Sequence, residues 1–462
     1  MATSAFHFAF LGNSVPQPQH ADAQTDLHNE LRRSLYQRLV AAPHDTDVAQ
    51  AIVDARLAMY DLSLPGTVRM AAVSYLFFHH INNAQNEQAA AVLNAAPDDL
   101  LQHDRFSLDI AYLHAVLYNR KGALQEALDL LEGVLEAATR SNNPTARARA
   151  LTLMASLSEA LGDLSRAERL YAESFSAKED LGDKRGIAVA AFNFACFLDR
   201  QGLYDPALEY YRRAADIERS YDDVANLALS LSHMAIIYAR LHRCELAQEL
   251  VGETIQLLNR SAPPLTAVAA LINIAVTHGR LHQRSQQRTT LLRALEMANT
   301  YNVDHHRVSI LLELADLAFE EGTFDTSELF VLQAQHLLEQ FPDPLAEAQT
   351  ILRHARLHTI RKRWDEAVFH AVTAIQQFAK LGAIVELGEA VECLARVVAS
   401  TPVNREIAGQ LCDAIEQYRR LNDEREKRRY TVLMARLGTE QSQKMQKSNA
   451  FEPLNLPKPI GT

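Results

Sequence analysis

Cysteine, tryptophan and long apolar runs are all scarce in this chain. The four cysteines, Cys196, Cys244, Cys393 and Cys412, lie far apart among 462 residues, so neither a disulfide framework nor a close-set metal motif can be read from them. That usage suits a reducing, cytoplasmic setting. The opening MATSAFHFAFLGNSVPQPQH lacks the basic stretch of a secretory signal. The apolar stretch from Met70 to Phe78 is far shorter than the roughly 20 residues that a bilayer span needs. Its Tyr75, Phe77 and Phe78 are read as the packing of a first hairpin, and no membrane partner is expected. A net charge of −11 argues against general affinity for nucleic acid, which needs a clustered cationic footprint.

Motifs of catalysis are missing too. There is no glycine-rich phosphate loop and no His-Glu-x-x-His. The pairs His79-His80 and His305-His306 have no spaced carboxylate or cysteine to complete a metal set. Cys196 has Arg200 one helical turn away, a charge that could lower a thiol pKa, yet no base is aligned with it and a packed cysteine accounts for it. The chain is therefore read as no enzyme, with no catalytic residue, metal ligand or cofactor.

What the sequence does have is a period. Alanine recurs every 40 residues at Ala115, Ala155, Ala195, Ala235, Ala275, Ala315, Ala355 and Ala395, with no insertion. In phase run Gly122, Gly162, Gly202 and Gly322, with His242, His282 and Lys362 in the gaps, and Ala127, Ala167, Ala207, Ala247 and Ala367, interrupted by Gln287 and Ser327. This is the period of stacked helical hairpins, in which each unit buries its apolar face only on its neighbours. The expected fold is all-α, a right-handed superhelical solenoid of about nine hairpins.

The unit from Asn193 shows the logic. Gly202 can close the first helix at positive φ. Asp205 is read as the N-cap of the second, with Pro206 at its first helical position. Two helices in a hairpin approach to about 8–10 Å, so the crossing takes only small residues such as Ala195 and Ala207. Phe194, Leu198, Tyr204 and Tyr211 fill the volume around it, and Trp364 occupies the slot of Tyr204. The unit at Gln283 to Gln287 breaks the pattern, which predicts a looser hairpin, a bend or a specialised contact.

Extending the register sets the organisation. Residues 1–23 are read as a flexible N-terminus and 24–64 as an N-terminal helical cap, with amphipathic segments at Leu27–Val40 and Val48–Tyr60. The array occupies 65–421, its first unit degenerate with a turn near 82–85. A capping helix at 422–437 and a disordered polar tail at 438–462 complete the chain.

On these residues the array resembles tetratricopeptide-like (TPR) proteins. The tract Leu181-Gly182-Asp183-Lys184-Arg185-Gly186, followed by Ala190, Ala191, Asn193, Ala195, Gly202, Tyr204, Ala207, Tyr211 and Ala214, is similar to a unit of the roughly 40-residue type. That type occurs in bacterial regulators related to the maltose-system activator and in animal spindle-orientation adaptors. The resemblance covers about residues 68–421 and implies an array that binds peptides or partner proteins along its inner face, sometimes as a sensor.

Positions two before and five after the recurring alanines fall on one helical stripe, read as the concave face. They define a candidate partner-binding groove: Asn193, Arg200, His233, Arg240, Asn273 and Arg280 as a polar, basic zone, then Glu313 and Glu320, with Asp316 beside them, as an acidic step. Two accounts stand open. The arginines bridge successive units or are solvated, or they form an exposed anion-accepting groove whose Asn amides fix an extended backbone. The function read from this is a non-catalytic scaffold or sensor for a protein or extended peptide, possibly with an acidic segment. Alternatives are a transcription-associated regulator touching nucleic acid through Arg419, Arg420, Arg425, Lys427, Arg428 and Arg429, and a homo-oligomeric scaffold. Phe451, Leu454, Leu456 and Pro459 in the tail form a candidate linear motif, extended by its prolines, that recruits a partner or plugs the groove.

Overall fold

The computed structural model describes residues 46–400 apart from 65, 83–84, 102–103, 262–263, 302 and 341–342, together with 413, 416 and 418–421. The spans read as flexible N-terminus, C-terminal capping helix and tail lie outside the described residues, as do Phe451, Leu454, Leu456 and Pro459. Among the described residues every regular element is a helix and none is a strand.

Helix α1 (Thr46–Tyr60) falls within the span read as the N-terminal cap. Helices α2 (Gly66–Asn82), α3 (Asn86–Asn94) and the short α4 (Asp98–Leu101) follow, less regular than the hairpins after them. Tyr75, Phe77 and Phe78 are buried there. Arg69 of α2, also buried, ties that helix to α1 and α4: its Nε donates to the Met59 carbonyl at 3.1 Å and its Nη1 to Asp99 at 2.6 Å.

Regular hairpins follow. They are α5 (Asp104–Arg120) with α6 (Leu124–Arg140), α7 (Pro144–Ala160) with α8 (Leu164–Asp180), and α9 (Lys184–Arg200) with α10 (Tyr204–Ser220). Next come α11 (Val224–Arg240) with α12 (Cys244–Ser261), α13 (Pro264–Arg280) with α14 (Arg284–Thr300), α15 (Asp304–Glu320) with α16 (Phe324–Gln340), and α17 (Pro344–Ile360) with α18 (Trp364–Leu381). Helix α19 (Ile384–Ser400) opens the last unit, and residues 418–421 are again helical. The array is an all-α solenoid of helical hairpins, as the period predicted.

The period has a simple origin. Most of these helices have 17 residues, and turns such as 161–163 and 201–203 have three. The middle residue of each described turn sits at positive φ. It is glycine at Gly122, Gly162, Gly202 and Gly322, and a strained L-residue at His242 (57°), His282 (58°) and Lys362 (59°). The following amide reaches back five residues, as Leu203 N does to the Leu198 carbonyl at 2.8 Å, satisfying a carbonyl that the helix end leaves free.

The third turn residue is the N-cap. Asp163, Asp183 and Asp223 accept the amides of Arg166, Gly186 and Asn226. Here the sequence reading of α10 needs correction. Its N-cap is Leu203, which has no capping side chain, and Asp205 lies inside the first turn. Pro206 is therefore the third helical residue; its missing N–H is still one of those with no partner inside the helix.

Both alanine series are buried as the crossing requires, Ala195 and Ala207 at 0% exposure; only Ala395, near the end of the register, is partly open. The interruptions have local accounts. Ser327 donates its hydroxyl to the Ala315 carbonyl at 2.8 Å. Gln287 is buried against Gly279, where a Cβ would lie 2.7 Å from its Nε2. That is a specialised contact, and α14 keeps its 17 residues.

Candidate peptide-binding groove

The two asparagines of the basic zone are both buried. Asn193 on α9 and Asn273 on α13 are 4% and 5% exposed. Asn273 Nδ2 donates to Ser232 Oγ of the preceding unit at 3.0 Å. Asn193 Oδ1 has no hydrogen-bond partner among the described residues. Burial at such a position demands a partner, because an unpaired buried amide forfeits its hydration.

Of the three arginines, two bridge successive units. Arg200 makes a two-pronged pair with Glu159, Nε at 2.6 Å and Nη2 at 2.7 Å, and the Tyr171 hydroxyl donates to the same carboxylate at 3.0 Å. Arg240 Nη1 reaches Asp199 at 3.0 Å, and its guanidinium lies 5.7 Å from the Tyr204 ring centroid. Arg280 differs. It is exposed, and among the described residues it makes no ion pair. Burial of part of its length and the neighbouring Arg240 hold its pKa below the ordinary guanidinium value, with Glu389 and Glu313 opposing them.

His233 stands between the Phe192 and Tyr211 rings, with both centroids at 5.4 Å and the Tyr211 ring nearly parallel at 17°. Burial, assisted by Arg200 and Arg240, pushes its pKa down to about 3, so the imidazole is neutral at ordinary pH.

The acidic step is split in the same way. Asp316 pairs with Arg353 and, at 3.5 Å, with Arg356; Glu320 pairs with Arg284. Glu313 has no ion pair among the described residues, and burial together with Asp316 pushes its carboxyl up to about 7. The bridging account left open by the sequence thus describes some of these charged residues and not others. Arg200, Arg240, Asp316 and Glu320 are engaged within the array, while Arg280 and Glu313 face each other's field without a direct pair.

Sequence reasoning missed the carboxylates that pair with the arginines. Glu159 and Asp199 each sit four residues after a recurring alanine, and the arginine that each meets sits five after the next one. That offset of one unit plus one residue was legible. Cys196 is a packed cysteine: Tyr211 donates its hydroxyl to the sulfur at 3.2 Å, and burial pushes the thiol up to about 12, outweighing Arg200. His354, His358 and His370 gather between α17 and α18 with ring centroids 5.1–6.3 Å apart. Among the described residues, however, no three such donors are arranged to hold a metal ion. No described helix is long and apolar enough to cross a membrane.

Comparison with known families fits this geometry. Two sequence profiles, both described as tetratricopeptide repeat, match residues 107–180 and 188–221. Tetratricopeptide repeats are thus matched within α5 to α10, and the rest of the array shares their hairpin form. No curated protein matches the chain. Among solved structures, a Rap protein complexed with Competence and Sporulation Factor is similar over 79% of this chain and 99% of its own, at 14% identity and a TM-score of 0.56. Aspartyl phosphate phosphatase F from Bacillus subtilis matches 69% of this chain and 85% of its own, at 12% identity and a TM-score of 0.49. The APC/C hetero-tetramer Cut9-Hcn1 matches 85% of this chain and 63% of its own, at 14% and 0.47. The likeness to the Rap protein is one of fold.

Proposed function

We propose that this protein is a non-catalytic adaptor or sensor that holds an extended, acid-bearing peptide segment on the concave face of its array. A tetratricopeptide array is a protein- or peptide-binding scaffold in general; the site and the chemistry of the segment are the further step. The observation that carries it is Arg280, an exposed guanidinium with no ion pair among the described residues, beside two arginines that are paired. A carboxylate of the segment completes Arg280 with two-pronged hydrogen bonds. The likeness of the unit to those of maltose-activator-type regulators and spindle-orientation adaptors supports an adaptor or sensor role. So does a solved array of the same fold, a Rap protein complexed with Competence and Sporulation Factor.

The test separates Arg280 from its neighbour. Peptides are selected from a random display library on the wild-type protein, then measured on Arg280→Glu and Arg200→Glu. Reversal at Arg280 is expected to lower affinity at least about tenfold, or roughly 1.4 kcal/mol, with melting unchanged. Reversal at Arg200 is expected to lower the melting temperature, because it sets two carboxylates against each other beside Tyr171. Equal binding by the wild type and Arg280→Glu would remove this face as the recognition surface.

A further inference from the structure

The array touches itself across one superhelical turn. The α7–α8 turn and the start of α8 meet the end of α18 and the α18–α19 turn. A Cβ on Gly162 would lie 2.8 Å from the Lys380 carbonyl oxygen, and one on Gly382 would lie 2.5 Å from Leu164 Cδ1. The α9–α10 turn joins the same contact: Gln201, 2% exposed, donates its Nε2 to the Gly382 carbonyl at 3.4 Å across 181 residues of sequence. Two glycines thus let distant turns approach closely, Gly162 against a backbone carbonyl and Gly382 against the Leu164 side chain, with the buried Gln201 amide beside them.

The closure carries charge into the groove. Helix α19 brings Glu386 and Glu389 opposite the paired and unpaired arginines. Both carboxylates act on Arg240, Glu389 acts on Arg280, and Asp199 acts on Glu386. Arg356 of α17 holds Glu389 at 3.4 Å. The wall facing the basic zone is therefore another helix of the same chain.

We propose that this seam turns the concave face into an axial channel, so that the segment it receives threads in by a free chain end. An internal segment flanked by folded domains would have to wait for the seam to part. This rests on the reading of the groove as a peptide site and adds the class of partner: a chain terminus or short linear peptide bearing a carboxylate. A circumferentially closed wall admits only what passes along its axis, and a folded domain of 100 residues has a radius of gyration of about 13 Å. Such a domain does not pass between helices whose charged side chains lie within each other's field.

The seam can be opened at one atom. Gly162→Ala places a methyl against the Lys380 carbonyl, whereas Gly322→Ala has nothing within 4 Å at nearly the same φ, +78° against +82°. The two variants share the backbone strain and differ in the seam alone. Spin labels at Ser165→Cys and Lys380→Cys, in a full-length background with Cys244→Ser and Cys412→Ser, report the distance across it. A short, narrow distance in the background and in Gly322→Ala, lengthened in Gly162→Ala, is the expected result; the same distribution in all three overturns the seam. Two random decapeptide libraries then test admission, one displayed with a free terminus and the other held between two small folded domains. The wild type is expected to recover binders from the first only, with binding lost in Arg280→Glu, and Gly162→Ala to recover binders from both. Equal recovery from both on the wild type overturns the proposal. Binders from neither would remove the peptide reading itself and this proposal with it, while the label distances would still report whether the array is closed.

Discussion

Glu218 is a carboxyl sealed near the end of α10, 5% exposed, with the Ser230 hydroxyl donating to it at 2.8 Å. Burial pushes its pKa up to about 8, Ser230 working against the shift and Asp223 with it. The folded chain therefore keeps a proton that an unfolded carboxyl releases near pH 4.3. The stabilisation linked to that proton is complete below about pH 4.3 and is lost as pH rises through the folded value. Glu218→Gln, which keeps the shape without the charge, is expected to melt above the wild type at pH 8 and with it at pH 4.5. Thermal unfolding at the two pH values checks this, and an equal offset at both would refute it. Lys362 offers a second test, because its φ of 59° is a left-handed conformation that L-residues resist. Lys362→Gly is expected to gain about 0.5–1 kcal/mol, the relief of that strain less the extra entropy of an unfolded glycine. An unchanged or lower denaturation midpoint at constant slope would show that the turn holds no such strain.

At the scale of elements, helix length and turn length do most of the specifying. A helix of 17 residues closed by a three-residue turn returns the chain to the same face, and two of them fix the period of 40 that the alanines print in the sequence. That is why hairpins, turns and crossing residues were legible without coordinates. The cap of α10 was misplaced by two residues because Asp205 and Pro206 look like a start, whereas the turn geometry had already fixed the start at Leu203. The groove was half legible. The stripe could be computed from 100° per residue, but pairing across units depends on which carboxylate a neighbouring helix presents, and a single helix does not state that. The α13–α14 hairpin gives an element-scale prediction. Alanine for glycine inside a helix is worth about 1 kcal/mol in propensity. At Gly279 it collides with Gln287, whereas the preceding unit carries Ala239 and Ala247 in these slots. Gly279→Ala alone is expected to gain nothing or lose stability, and the gain should appear when it is added to Gln287→Ala. Additive effects in that double-mutant cycle would mean that the two residues do not share the space.

For the molecule as a whole, the contact between Gln201 and Gly382 changes how order spreads. An open row of repeats couples each unit only to its neighbours, so it can nucleate anywhere and fray from either end. Joining distant units removes one place to fray and adds an interaction that cannot form until everything between is in position. Loop-closure entropy and large sequence separation both make such a contact late. Refolding is therefore expected to show a fast phase in which helices and neighbouring pairs assemble, then a slower one in which the join protects amides around 380–390 and 201–203. Gly162→Ala should erase the slow phase and leave the fast one. The same order in reverse makes the join the first thing to give way on gentle destabilisation, a partial opening far below the free energy of global unfolding. A structure that reads in sequence as a simple row would then behave, near its midpoint, as a necklace with a clasp.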